Sequence, residues 1–315
     1  MIAFWIALGL LAVLLVACGV CFWMTFYVCK RPKKKEGEYY LIPGAVFEPF
    51  YPRMRQWHDW VESLPREEMT VRTPDRLTLR GRYYELTPDS PVEILFHGYR
   101  GSAERDMYGA VDRCFRVGHS ALLVDQRAGG RSDGHVITFG AREHKDALLW
   151  ARELERRFGD DRPVILAGVS MGAATVSMAA GAADLPENVV GVLADCGYST
   201  APAIIKKVIR QLKLPPAVFY PLVRLGAILY GHFDPNRVDI PAAVAKAKVP
   251  VLFLHGAVDS FVPCEMSREN YEACTAPKQL VLIPDADHGV AFPADEEGYI
   301  AAVRAFDAQY WRKSE

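Results

Sequence analysis

The segment Gly168-Val169-Ser170-Met171-Gly172 holds the clearest chemistry in the chain. It follows the apolar run Val164–Ala167 and precedes a stretch of small residues that reads as a helix. A serine at a tight strand-to-helix turn sits in a strained backbone conformation. Glycines two before and two after let neighbouring chain pass close by. The N-terminus of a helix behind Ser170 offers backbone N–H donors and a dipole that favours negative charge. The chemistry this suits is attack by the Ser170 hydroxyl on a carbonyl carbon.

An unactivated serine is a poor nucleophile and needs a base. Of the 8 histidines, His288 is best placed, in Pro284-Asp285-Ala286-Asp287-His288-Gly289 between the last strand candidate and the final helix. His97 and His255 each precede a glycine at a strand end and read as structural or oxyanion-loop residues. The acid that would orient His288 is best placed at Asp259, in the loop after the penultimate strand. Asp195, which closes the preceding strand, is a rival. Asp285 and Asp287 are too local to His288 and read as residues that shape its turn. Two N–H donors are needed for an oxyanion. Met171 directly follows the nucleophile, and Tyr99 lies in the loop His97-Gly98-Tyr99-Arg100-Gly101.

These residues need a scaffold that brings strand ends together. Short apolar runs alternate with helical patterns from about residue 65 onward. Strand candidates are Leu77–Leu86, Val92–Phe96, Ser120–Asp125, Val164–Gly168, Val189–Asp195, Val251–His255 and Gln279–Ile283; helix candidates are 105–117, 140–158, 171–183, 263–274 and 295–312. Runs that are apolar throughout fit parallel strands buried on both faces. The alternation predicts an α/β fold with a mostly parallel sheet, beginning with an antiparallel pair near 69–86. Residues 44–64 read as a lead-in helix with Trp57, Trp60, Val61 and Leu64 on one face. Residues 200–247 interrupt the rhythm with several prolines and read as an inserted lid of short helices. Its cations (Lys206, Lys207, Arg210, Lys213, Arg224, Arg237, Lys246 and, just beyond, Lys248) outnumber Asp234 and Asp239. That excess suits an anionic substrate or leaflet, or a solvated face.

The chain has 315 residues, 50% of them hydrophobic, with 37 Lys+Arg against 38 Asp+Glu. This is globular composition, and its charge balance gives no reason to expect nucleic acid as a partner. The 7 cysteines are too sparse for a disulfide scaffold, and Cys114, Cys196, Cys264 and Cys274 form no paired zinc motif. Ile2 to Val28 carries no charge and is followed by Lys30-Arg31-Pro32-Lys33-Lys34-Lys35. A run of this length crosses a hydrocarbon core of about 30 Å. Nothing basic precedes it, and it continues past the lipobox-like Leu15-Val16-Ala17-Cys18. It therefore reads as an uncleaved transmembrane anchor (residues 1–29) rather than a secretory or lipoprotein signal. The basic cluster opens a juxtamembrane and lead-in segment (30–64) and places the large domain (65–315) on the cytoplasmic side of a single-pass protein.

Taken together, His97-Gly98-Tyr99, Asp125-Gln126-Arg127, Gly130-Arg131-Ser132-Asp133-Gly134, Gly168–Gly172, His255-Gly256 with Asp259, and Asp287-His288-Gly289 resemble the α/β-hydrolase superfamily. More narrowly, they resemble bacterial membrane-anchored esterase or serine-aminopeptidase-like hydrolases. The order Ser170, Asp259, His288 is that superfamily's order. The resemblance implies a mostly parallel eight-stranded sheet flanked by helices, with an inserted lid. It also implies a Ser170–Asp259–His288 triad, Tyr99 and Met171 as the oxyanion hole, and no metal or organic cofactor. One departure is visible: the family often has Arg-Gly-x-Gly where this chain has Arg127-Ala128-Gly129-Gly130. The implied function is hydrolysis of carboxylic esters of acyl or lipid-like small molecules, with the apolar insertion as acyl pocket. Peptidase or amidase action and acyl transfer are alternatives on the same residues, and a non-catalytic binding protein is a further one.

Overall fold

The computed structural model describes residues 1–29 and 39–311. The basic cluster expected beside the anchor lies outside these residues. The chain opens with helix α1 (Ile2–Thr25). Its 24 residues are long and apolar enough to cross a membrane. Then come α2 (Tyr51–Ser63), the strands β1 (Glu67–Arg72), β2 (Thr78–Tyr84) and β3 (Val92–Phe96), and α3 (Ala103–Asp106) with α4 (Tyr108–Val117). A strand–helix alternation follows: β4 (Ser120–Asp125), α5 (Glu143–Phe158), β5 (Val164–Val169), α6 (Met171–Ala180) and β6 (Val189–Asp195). The interrupting region contains α7 (Ala201–Gln211), α8 (Pro216–Gly231) and α9 (Ile240–Val244). The chain finishes with β7 (Val251–Gly256), α10 (Cys264–Ala273), β8 (Lys278–Ile283), α11 (Ala291–Ala294) and α12 (Glu296–Phe306).

The sheet has eight strands in the order β1-β2-β4-β3-β5-β6-β7-β8. β2 is antiparallel to both of its neighbours, and β3 to β8 are parallel. β3, β4 and β7 are buried at every position, because helices cover both faces. Parallel strands bring their C-terminal ends to one edge, and that is where such sheets bind ligands. The loops after β3, β5, β7 and β8 therefore meet there.

Two sequence expectations change in detail. The first helix after β3 is broken in two at Met107, where a short α3, N-capped by Ser102, gives way to α4. The insertion is not a set of short helices only: α8 runs for 16 residues through Pro221.

The end of α1 is part of the folded domain. Phe26 is fully buried, with its ring edge-on to Phe139 at 5.6 Å and to Phe233 at 5.1 Å. Tyr27 forms an antiparallel bridge with Val136. Val28 N–H donates to His135 O (2.7 Å), and Ile137 N–H donates to Phe26 O (2.9 Å).

Candidate active site

Ser170 takes φ 57° and ψ −113°, a conformation that strains any side-chain-bearing residue. Its surroundings explain the two flanking glycines. A Cβ on Gly168 would fall on the carbonyl of Gly172, and one on Gly172 would fall on the carbonyl of Phe96. The turn can close only where both side chains are absent. Ser170 N–H donates to Asp195 O at 2.8 Å, which pins the turn to the next strand.

The structure brings Ser170, His288 and Asp259 into one hydrogen-bonded chain. His288 Nδ1 lies 2.7 Å from Asp259 Oδ2, and its Nε2 lies 3.0 Å from Ser170 Oγ. With Nδ1–H donating to the carboxylate, Nε2 is left to accept the Ser170 proton. Asp259 Oδ1 accepts from Phe261 N–H (2.9 Å) and Val262 N–H (2.6 Å). Burial alone would raise the Asp259 carboxyl. Hydrogen bonds from His255 and His288, the electrostatic attraction of His288 and the Val262 N–H bring it down to about 2 instead.

Sequence reasoning missed two supports of this chain. His255 Nε2–H points at Asp259 Oδ2 (3.1 Å) and Val262 O (2.8 Å), and its Nδ1 lies 2.7 Å from Ser267 Oγ. Asp259 is thus held by two imidazoles. Asp287 does more than shape its own turn. Its Oδ1 accepts from Ser260 N–H and His288 N–H, both at 2.7 Å, and so ties the acid loop to the histidine loop. The only signal in the sequence was the i, i+4 spacing of His255 and Asp259. Nothing local shows that Ser260 and Asp287 meet.

The rival acids are engaged elsewhere. Asp195 Oδ2 accepts from Tyr299 Oη at 2.9 Å, and burial raises its carboxyl above the usual range. Asp285 occupies the β8 exit turn with φ 56°. His97 Nε2 accepts from Gln126 N–H at 3.0 Å and its Nδ1 faces Gly98 O at 2.8 Å, so it shapes the loop after β3.

That loop carries Tyr99, and Gly98 lies against Ser170. Among the described residues the N–H groups of Tyr99 and Met171 have no protein acceptor. The Tyr99 side chain packs on Phe139 at 5.2 Å and donates through Oη to Thr25 O at 2.6 Å. Arg100 donates to Met24 O (2.8 Å) and Tyr27 O (3.1 Å). The last carbonyls of α1 are therefore capped by the loop after β3.

A cavity of 340 Å³ opens on Ser170 and His288, walled by Phe47, Met54, Trp57 and Phe292. Trp57 and Phe292 stack at 5.3 Å. This corrects the expectation that the 200–247 insertion supplies the pocket. Among the described residues none of the insertion lines it; the lead-in segment and α2 do, because they fold back over the strand ends. The insertion's acids are also spent locally. Asp234 pairs with Arg224 and caps the turn at Asn236, and Asp239 caps α9. Ala128, where the resembled pattern has glycine, takes φ 60°. The loop after β4 thus keeps a left-handed residue at some strain.

Two clusters have metal-ligand spacing, Cys196/Asp259/His288 and His58/Glu62/Glu104. In the first, both His288 nitrogens already face Asp259 and Ser170. In the second, Arg82 lies 3.5 Å from Glu62 and 3.9 Å from Glu104, and Tyr108 donates to Glu62. A cation already balances those carboxylates.

A family model described as the alpha/beta hydrolase fold matches residues 94–229. The esterase Pf2001 of Pyrococcus furiosus superposes with TM-score 0.64 at 20% identity, covering 91% of this chain and all (100%) of that one. The chain has the α/β-hydrolase fold. Est1E of Butyrivibrio proteoclasticus, solved with ferulic acid bound, superposes with TM-score 0.59 at 21% identity over 76% of this chain and 98% of Est1E. At these identities the likeness is one of fold. Among curated sequences, the uncharacterised protein YqkD of Bacillus subtilis is 24% identical over 253 residues, 79% of this chain and 82% of its own length. The uncharacterised YfhR of Escherichia coli K12 is 25% identical over 270 residues, 82% of this chain and 85% of its own.

Proposed function

We propose that this α/β-hydrolase is a serine hydrolase of carboxylic esters with an apolar acyl part, held at a membrane by α1. The observation that carries the reading is the Ser170–His288–Asp259 hydrogen-bond chain at the floor of an aromatic-walled cavity.

The chemistry follows from the geometry. His288 Nε2 takes the Ser170 proton as Oγ attacks the ester carbonyl carbon. The imidazolium that forms is stabilised by Asp259, which stays ionised far below neutrality. The oxyanion is received by the N–H groups of Met171 and Tyr99, each worth about 3–4 kcal/mol in the transition state. As the tetrahedral intermediate collapses, the carbon–alkoxide bond breaks and His288 returns its proton to the leaving alcohol. Water then repeats the sequence on the acyl-enzyme, releasing the acid and restoring Ser170. Phe47, Met54, Trp57 and Phe292 remove acyl carbons from water at about 25 cal/mol per Å² of buried area.

The buried Phe26 and the Tyr27–Val136 bridge support retention of α1 in the mature protein: cleavage there would open the core.

The test is labelling of the detergent-solubilised full chain with a fluorophosphonate, beside Ser170→Ala. A panel of p-nitrophenyl acyl esters and aminoacyl anilides runs with it. Labelling lost in Ser170→Ala, with ester turnover above anilide turnover, is the expected result. Anilide turnover above ester turnover moves the assignment to a peptidase. An unlabelled, folded protein refutes the nucleophile.

A further inference from the structure

Two apolar helices, α1 and α8, pack side by side, and α8 keeps Tyr220, Val223 and Ala227 in the core of the domain. α8 meets α1 along the C-terminal half of the anchor. Gly226 is pressed so close to α1 that a Cβ there would fall on the carbonyl of Cys18. The Phe22 and Tyr230 rings lie 5.9 Å apart, and Tyr230 Oη donates to Leu15 O at 3.0 Å. A glycine at the crossing permits the backbone approach that packs helices in lipid. The contact thus spans Leu15 to Phe22 of α1.

This contact sets a length constraint. Ile2 to Leu14, the part of α1 that projects clear of α8, rises only about 20 Å at about 1.5 Å per residue. A hydrocarbon core is about 30 Å thick. An α1 that crosses the bilayer must therefore enter lipid beyond Leu14, along the stretch where α8 is attached. α8 cannot then remain in water.

The composition of α8 agrees with this placement. From Pro216 to Gly231 its single charge is Arg224, which is paired with Asp234 at 2.8 Å. Val218, Ile228, Leu229 and Tyr230 are 57%, 40%, 40% and 43% exposed. Leu212 and Leu214, in the turn that leads into α8, are 60% and 37% exposed. Exposed apolar residues so concentrated on one element mark an interaction surface. Arg210 and Lys213, both exposed, neighbour these leucines and match an anionic headgroup layer.

We infer that the outer face of α8, with Leu212 and Leu214, is immersed in the bilayer beside α1. The inference rests on the proposal that α1 spans the membrane. It makes the insertion a membrane-seating element, which accounts for its absence from the walls of the cavity. α1 and α8 together form a two-helix wedge, and through Tyr99 and Arg100 its base is tied to the loop beside Ser170. The surface recognised is a lipid leaflet, and the cavity is held at its boundary.

The experiment uses the full chain in phosphatidylcholine nanodiscs. The exposed Cys29 is replaced by serine, and a nitrobenzoxadiazole dye is attached to Leu229→Cys, with Asp160→Cys and Leu10→Cys as reference sites. Asp160 is exposed at the opposite edge of the sheet, before β5. Nitroxide-bearing lipid is expected to quench the dye at 229 and at 10 more strongly than aqueous iodide does, and the order is expected to reverse at 160. Quenching at 229 in the order seen at 160, while 10 remains lipid-quenched, overturns the seating of α8 and leaves the anchor intact. Iodide quenching at 10 overturns the anchor itself, and with it this inference. Ile228→Cys repeats the measurement at a neighbouring exposed position, so that one poorly folded variant cannot decide the result.

Discussion

Phe26→Ala tests whether the end of α1 is part of the hydrolase core. Phe26 is fully buried, edge-on to both Phe139 and Phe233, and its carbonyl receives the Ile137 N–H. Truncating a buried phenylalanine to alanine costs about 3–5 kcal/mol when the cavity does not collapse. Each edge-on ring pair accounts for about 0.5–1.5 kcal/mol beyond area burial. At about 2–4 °C per kcal/mol, the figure for domains approaching this size, the melting temperature should fall by roughly 6–20 °C. The same substitution should reach the chemistry. Phe139 lies between Phe26 and Tyr99, whose main-chain N–H is the proposed oxyanion donor. Loss of one such donor costs about 10²–10³ in kcat, which sets the upper limit of the effect. The assays are thermal unfolding of the detergent-solubilised full chain and ester turnover at a temperature where both proteins are folded. Phe26→Leu, which refills most of the space, should recover most of both losses. A Phe26→Ala protein that melts within about 2 °C of the parent and keeps its kcat would refute the reasoning. α1 would then be an appendage of the folded domain and not part of its core.

Four further outcomes are expected. Ser170→Ala should lower ester kcat by about 10⁶, and Asp259→Asn by about 10⁴ with the fold unchanged; circular dichroism and turnover together check both. Ala128→Gly should raise stability by about 1 kcal/mol in a urea titration, because glycine relieves the left-handed strain at φ 60°. His119 is buried against Glu93 (2.8 Å) and Asp307 (3.3 Å). Burial would lower its pKa, but the two carboxylates raise it from 6.5 to about 9. A raised folded pKa means that the stabilisation is complete below about pH 6.5 and is lost as pH rises towards about 9. Urea midpoints should decline across that window, and the decline should flatten in His119→Gln.

The strands were legible wherever burial is two-sided. Val92–Phe96, Ser120–Asp125 and Val189–Asp195 have the same bounds in the sequence reading and in the structure. Such strands are apolar at nearly every position, and their flanks change abruptly. Ends were less legible where a helix breaks for tertiary reasons, as at Met107 between α3 and α4. The three residues of the candidate site were legible because each sits in a loop directly after a strand, and parallel strands must bring those loops to one edge. The walls of the cavity were not. Phe47 and Met54 come from a lead-in segment whose apolar residues carry no mark of the partner they cover.

The alternation of strand and helix, the turn at Ser170 and the chain order of the candidate residues Ser170, Asp259 and His288 were all readable in the amino-acid sequence. All of these follow from local pattern: two-sided burial, steric demand at a turn, and strand-end position. Tertiary structure alone decided that His255 shares Asp259, that Asp287 ties Ser260 to His288, and that Phe26 closes the core. It also decided that the 200–247 insertion stands beside α1 rather than over the cavity. Each of these is a contact between groups that chain pattern does not relate, fixed by packing and hydrogen-bond demand after the sheet has assembled.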